Sequence, residues 1–107
     1  MNKLDAEARE ALRATNPNAR VIADEDLDLF LVVRVPTTGE WKTYRSESAD
    51  SEMRYTAQKK LISLIAVYPK APELAVYFEQ LPAAVETIMG KVAELAGISA
   101  KATLEKL

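Results

Sequence analysis

Three groups of residues in this 107-residue chain have types and spacing that could carry chemistry. The first is the acidic cluster Asp24, Glu25, Asp26 and Asp28. Asp24, Asp26 and Asp28 repeat the i, i+2, i+4 spacing that opens a calcium loop. In such a loop the sixth position needs glycine for a sharp turn, and the twelfth needs a glutamate that closes the site with two oxygens. Here those positions hold Leu29 and Val35. With no closing carboxylate, the cluster reads as a solvated hairpin turn rather than a metal site. The second group is Lys59, Lys60 and Ser63, which could pair a serine nucleophile with a lysine base. It lacks the Gly-x-Ser-x-Gly elbow that presents such a serine, and its lysines suit the wet face of a helix. The third group sets Lys42, Arg45, Arg54, Lys59 and Lys60 beside Trp41, Tyr44 and Tyr55. Bases with interleaved aromatics are what a nucleic-acid surface needs. Glu40, Glu47, Asp50 and Glu52 run through the same stretch, and the whole chain carries a net charge of −2. The expectation is a mixed-charge face and no nucleic-acid partner.

Two absences sharpen this. The chain has no histidine and no cysteine. That removes the commonest general base and metal ligand, the thiol nucleophile and any disulfide. The three glycines, Gly39, Gly90 and Gly97, are scattered, so no loop is built to cradle phosphate. The expectation is a protein that is not an enzyme, with no cofactor, no metal and no small-molecule substrate. It would act by touching other proteins.

One further constellation stands out at a corner. Arg34 ends an apolar run, Pro36 turns the chain, and Glu40, Trp41 and Tyr44 follow. The simplest account of Arg34 is an ion pair with Glu40 across the turn. Trp41 and Tyr44 lie one helical turn apart. They suit an interface anchor, since Trp and Tyr dominate binding hot spots. Trp41 equally suits the edge of the core beside Pro36.

These residues need elements to hold them. Leu4, Ala8, Ala11 and Leu12 recur at helical spacing in an alanine-rich stretch, predicting a helix over 3–14. Its apolar stripe is thin, so it packs weakly or against a partner. Asn16-Pro17-Asn18 ends it. Residues 20–23 and 27–35 read as two strands of a hairpin. In the second, Leu27, Leu29, Leu31, Val33 and Val35 fill one face, and Asp28, Phe30, Val32 and Arg34 form a half-polar other face. A two-stranded hairpin is marginal alone and must lie on helices or pair with another copy. Thr37-x-x-Glu40 is a capping box. Gly39 weakens the first turn, so the helix carrying Trp41 is expected to be short or irregular, with a polar break at 46–51.

A longer helix is predicted over 52–68 from Met53, Ala57, Leu61, Leu64, Ile65 and Tyr68, stopped by Pro69. Pro72 starts a short helix to Gln80. Pro82 opens the last one over 82–96, with a stripe of Leu81, Val85, Ile88, Val92 and Leu95 and a C-cap at Gly97. Residues 99–107 would add a frayed turn or two. The fold class is α+β and helix-dominated: an N-terminal helix, a β-hairpin, then three to four helices. At this length, with 49% hydrophobic residues and no repeat or long linker, one domain with a real core is expected. The first sixteen residues have no apolar segment of the signal-peptide type, and no run is long enough to cross a bilayer. With no cysteines, a reducing cytoplasm is the expected compartment.

The segment Leu31-Val32-Val33-Arg34-Val35-Pro36-Thr37-Thr38-Gly39-Glu40-Trp41-Lys42-Thr43-Tyr44 resembles the tail assembly chaperones of long-tailed bacteriophages. There a strand ends in an Arg-x-Pro turn, followed by an acidic residue and an aromatic that open the helical part. Tyr68-Pro69, Leu81-Pro82 and the closing Leu95-Ala96-Gly97 are similar to the same pattern, so the resemblance spans about Ile22 to Gly97. It implies a protein of the infected or lysogenic bacterial cytoplasm that holds the tape measure protein during tail assembly. It also implies contact with the tail-tube protein, self-association, a longer frameshifted form and absence from the mature virion. Arg34, Pro36, Glu40, Trp41 and Tyr44 would be the turn and its surface, and the helices over 52–68 and 82–96 the partner groove. The alternative is a small bacterial adaptor or regulator unrelated to tails.

Overall fold

The computed structural model describes residues 2–97 and Lys106. The described residues are α+β, with five helices and one three-stranded antiparallel sheet. The helices are α1 (Ala6–Thr15), α2 (Thr38–Ser48), α3 (Arg54–Ile65), α4 (Ala71–Gln80) and α5 (Ala84–Leu95). The strands are β1 (Arg20–Asp24), β2 (Leu29–Val33) and β3 (Ala66–Tyr68), in the spatial order β1-β2-β3. The frayed turn expected over 99–107 lies outside the described residues, Lys106 apart.

The hairpin forms, with Ile22 opposite Leu31 and Asp24 opposite Leu29, but its second strand is shorter than the expected 27–35: Leu27 lies in the turn and Val35, beyond the strand, is 41% exposed. Its acidic cluster makes the turn. The Asp24 carboxylate accepts the backbone N–H of Asp26 at 2.9 Å and of Leu27 at 3.3 Å. Asp28 takes a left-handed conformation, φ 48°, which Asp tolerates better than most residues.

The half-polar outer face of β2 is a correction. All five residues of β2 are buried, including Phe30 and Val32. Those two point away from the main core and are covered from the N-terminal side. The Arg9 guanidinium lies 5.8 Å from the centre of the Phe30 ring. The Tyr68 ring meets Phe30 edge-on at 6.5 Å, and its hydroxyl donates to the Asn2 carbonyl at 2.8 Å. Leu4, Leu12, Val21 and Val32 line one small cavity. Thus α1, capped by Asp5, lies across the outer face of the sheet without burying any residue of its own completely.

The third strand is a second correction. Helical periodicity carries the predicted 52–68 helix through Tyr68, but α3 stops at Ile65. Ala66 turns extended, and Ala66–Tyr68 pairs with Val33 and Val32 of β2. Two effects combine. Pro69 disfavours helix in the residue before it, and β2 is buried on both faces, so the backbone groups on its far edge need partners. A third correction concerns α2. It is a regular helix of 11 residues rather than a short irregular one, and it runs into the expected polar break, to Ser48. Both halves of the capping box are made, which offsets the cost of Gly39.

The main core lies between the inner face of the sheet and α3, α4 and α5. Leu31, Val33, Ile62, Ile65, Leu74 and Ile88 are fully buried there. Tyr77 of α4 donates its hydroxyl to the Leu27 carbonyl at 2.7 Å and so ties α4 to the hairpin. Burial, with Asp28 and Asp24 nearby, pushes that phenol above its ordinary value. Pro72 sits in the first turn of α4, and Gly97, at φ 103°, ends α5 where a left-handed residue is needed. Val85, Ile88 and Val92 of the predicted stripe are buried, whereas Leu81 sits between helices and is 39% exposed.

Candidate functional site

The corner after β2 is tied together from both sides. The Arg34 guanidinium meets the Glu40 carboxylate through two bonds, Nη1 to Oε1 and Nη2 to Oε2, each 2.7 Å. This is the pair expected from the sequence, in the bidentate geometry that only arginine offers. Glu40 Oε1 also accepts the Thr37 N–H at 2.9 Å, and the Thr37 hydroxyl accepts the Glu40 N–H at 3.1 Å. Arg34 reaches α3 as well. Its Nη2 donates to the Leu64 carbonyl at 3.3 Å, and its backbone N–H donates to the Ile65 carbonyl at 3.0 Å. One arginine therefore joins the end of β2, the start of α2 and the end of α3.

The electrostatics follow from that geometry. The hydrogen bonds from Arg34, then the one from the Thr37 backbone, pull the Glu40 carboxyl down from 4.5 to about 2. The bond to Glu40 raises Arg34 above its ordinary value. The pair is charged throughout the neutral range. Its effect is mechanical: it sets the angle at which α2 leaves the sheet. Pro36, half-buried in the linking turn, fixes φ there.

That angle lays α2 against α3. Trp41 and Tyr44 stack at 5.1 Å, tilted by 44°. Both are half-buried and pack on the edge of the core, so Trp41 has a core face and an outward face together. Beside Tyr44, between α2 and α3, runs a groove of about 380 Å³. Ala57, Leu61 and Leu64 form its apolar wall, and Lys60 bonds Glu47 across it at 2.9 Å. The sequence places Leu64 in a buried stripe, but it is 52% exposed, and Met53 is 48% exposed. Ile62 takes the buried place instead. The signal was present: Leu61, Ile62, Leu64 and Ile65 are too many apolar residues for one helix face.

The other candidates disperse. Lys60 is engaged with Glu47, and Lys59 lies over the Tyr55 ring at 4.7 Å. Both share a hollow with Ser63 between α3 and α4, yet among the described residues no hydrogen bond joins Ser63 to either lysine. Arg54 donates to the Ser48 carbonyl. Of the basic residues of this stretch, Arg54, Lys59 and Lys60 are thus engaged with local partners. No helix among the described residues is long and apolar enough to cross a membrane.

No protein-family model matches this chain, and no curated protein matches it. Its fold is similar to a solved structure, that of the uncharacterised protein rbstp2171 from Bacillus stearothermophilus. The two share 18% sequence identity with a TM-score of 0.78, over 91% of this chain and 99% of the other. At that identity the likeness concerns the fold alone.

Proposed function

We propose that this chain is a non-enzymatic tail assembly chaperone of a long-tailed phage or prophage. It would work in the cytoplasm of the bacterial host, bind the tape measure protein and be absent from the finished virion. The helices over 52–68 and 82–96, expected to form the groove, instead pack on each other as core. The observation that carries this reading is the groove between α2 and α3, which opens directly beside the segment that resembles such chaperones. The groove has an apolar wall that includes Leu64, an aromatic rim at Tyr44, and Glu47 and Lys60 on its edge. An amphipathic helix docks by laying its apolar stripe into such a groove. A tape measure protein is a long amphipathic chain whose stripe must be shielded until tube subunits arrive. Holding it requires no hydrolysis, in keeping with a sequence without a phosphate loop.

The test is co-expression of the tagged chain with a candidate tape measure protein, followed by purification. A soluble complex is expected. Leu64→Lys should lower recovery of the partner severalfold while shifting stability by less than about 0.5 kcal/mol, as an exposed position allows. A chain that purifies alone while the tape measure protein precipitates would sink the proposal and leave the adaptor reading.

A further inference from the structure

The two edges of the sheet are built differently. The β3 edge is three residues long, its register with β2 is irregular, and Pro69 follows it. Short length, irregular pairing and proline are the devices that keep an edge from accepting another strand. The β1 edge has none of them. Arg20–Asp24 is five residues long and pairs regularly with β2, without proline or lysine. On its outer face Val21 is 40% exposed and Ala23 is exposed too. Beside it a hollow of about 360 Å³ separates β1 from Lys91, Glu94 and Leu95 of α5.

The sequence of that edge says what fits it. Arg20-Val21-Ile22-Ala23-Asp24 is complementary to itself when run antiparallel about Ile22. Arg20 then opposes Asp24 of the other strand at both ends, and Val21 opposes Ala23. Directly opposed charges of opposite sign stabilise an antiparallel pair, and like charges destabilise it. A parallel or shifted pairing loses both charge matches. Among the described residues, Arg20 engages Nη1, on the Asn18 and Ala19 carbonyls, and Asp24 engages Oδ1, on its own turn, which leaves Arg20 Nη2 and Asp24 Oδ2 for a partner strand.

We infer that the β1 edge is a homodimer interface, on which a second copy of this chain adds its own β1 antiparallel about Ile22 to make a continuous six-stranded sheet. The inference does not depend on the tail-chaperone reading, because the edge lies away from the α2–α3 groove and follows from β1 alone.

Sedimentation of the purified full chain tests it, up to about 1 mM, the weak end of useful association. A concentration-dependent dimer that weakens with added salt is expected, since exposed charge pairs are screened. Arg20→Asp should raise the dimer dissociation constant about tenfold or more, because two attractive pairs become repulsive ones. Its thermal unfolding, measured in the dilute monomer range, should be unchanged. Amide exchange of the unaltered chain supplies the check that needs no variant: concentration should raise protection within residues 20–24. A monomer throughout the range overturns the proposal. So does a dimer that Arg20→Asp leaves intact, or one whose added protection falls elsewhere.

Discussion

Arg34 and Glu40 show how two side chains set the geometry of a small fold. Six residues apart in sequence, they close a two-bond ion pair at the point where β2 gives way to α2. Because the folded state holds Glu40 near 2 against an ordinary 4.5, it binds that proton less readily than the unfolded chain does. The pair's contribution is therefore full above about pH 4.5 and lost as pH falls towards 2. Arg34 is 39% exposed, so water screens the pair and the contribution is about 1 kcal/mol rather than the full linkage value. Glu40→Gln should cost about 1 kcal/mol at neutral pH and almost nothing near pH 2. Urea unfolding across that range checks this, and equal losses at both ends would refute it. Trp41 belongs to the same scale. A fully buried tryptophan costs about 3–5 kcal/mol when cut to alanine, so half-buried Trp41→Ala should cost about 2 kcal/mol and leave a cooperative transition. Calorimetry reads the loss, and partner capture reads whether the outward face also binds.

At the scale of elements, α1 and β3 carry the instructive results. Each is weak alone: α1 buries no residue fully, and β3 is three residues long. Both exist because β2 is apolar on both faces and needs covering and pairing. Removing residues 2–16 should expose Phe30 and Val32, which are 5% and 6% accessible in the intact chain. The truncated protein should bind a hydrophobic dye and unfold at lower temperature; unchanged melting would mean α1 is dispensable. Phe30→Ala, tested in the full chain, should cost about 3 kcal/mol for the same reason. This is where reading the sequence reached its limit. The strands of the hairpin and the capping box at Thr37 and Glu40 are local signals, and they were legible; Pro69 was legible as a helix breaker, but α3 ends earlier, at Ile65. The strand at Ala66–Tyr68 was not, because those residues continue the helical periodicity of α3 and become a strand only through pairing with β2. Phe30 and Val32 misled in the same way, since alternation with Asp28 and Arg34 hides a second covered face.

At the scale of the molecule, one cluster of buried side chains draws on β1, β2, α3, α4 and α5, with Trp41 and Tyr44 of α2 packed on its edge. A core shared in this way should unfold in a single transition, with calorimetric and van't Hoff enthalpies equal. Two resolved transitions would show α1 or the hairpin separating first. The sequence by itself determined the class of fold, the corner at Arg34–Glu40 and most helix ends, because capping, proline and charge pairing act between residues close along the chain. Tertiary structure alone decided the third strand, the burial of both faces of β2, and the exposure of Leu64 beside a groove. Each of those depends on which distant element occupies the space next to a residue, and hydrophobic pattern records that a residue is apolar without recording what covers it.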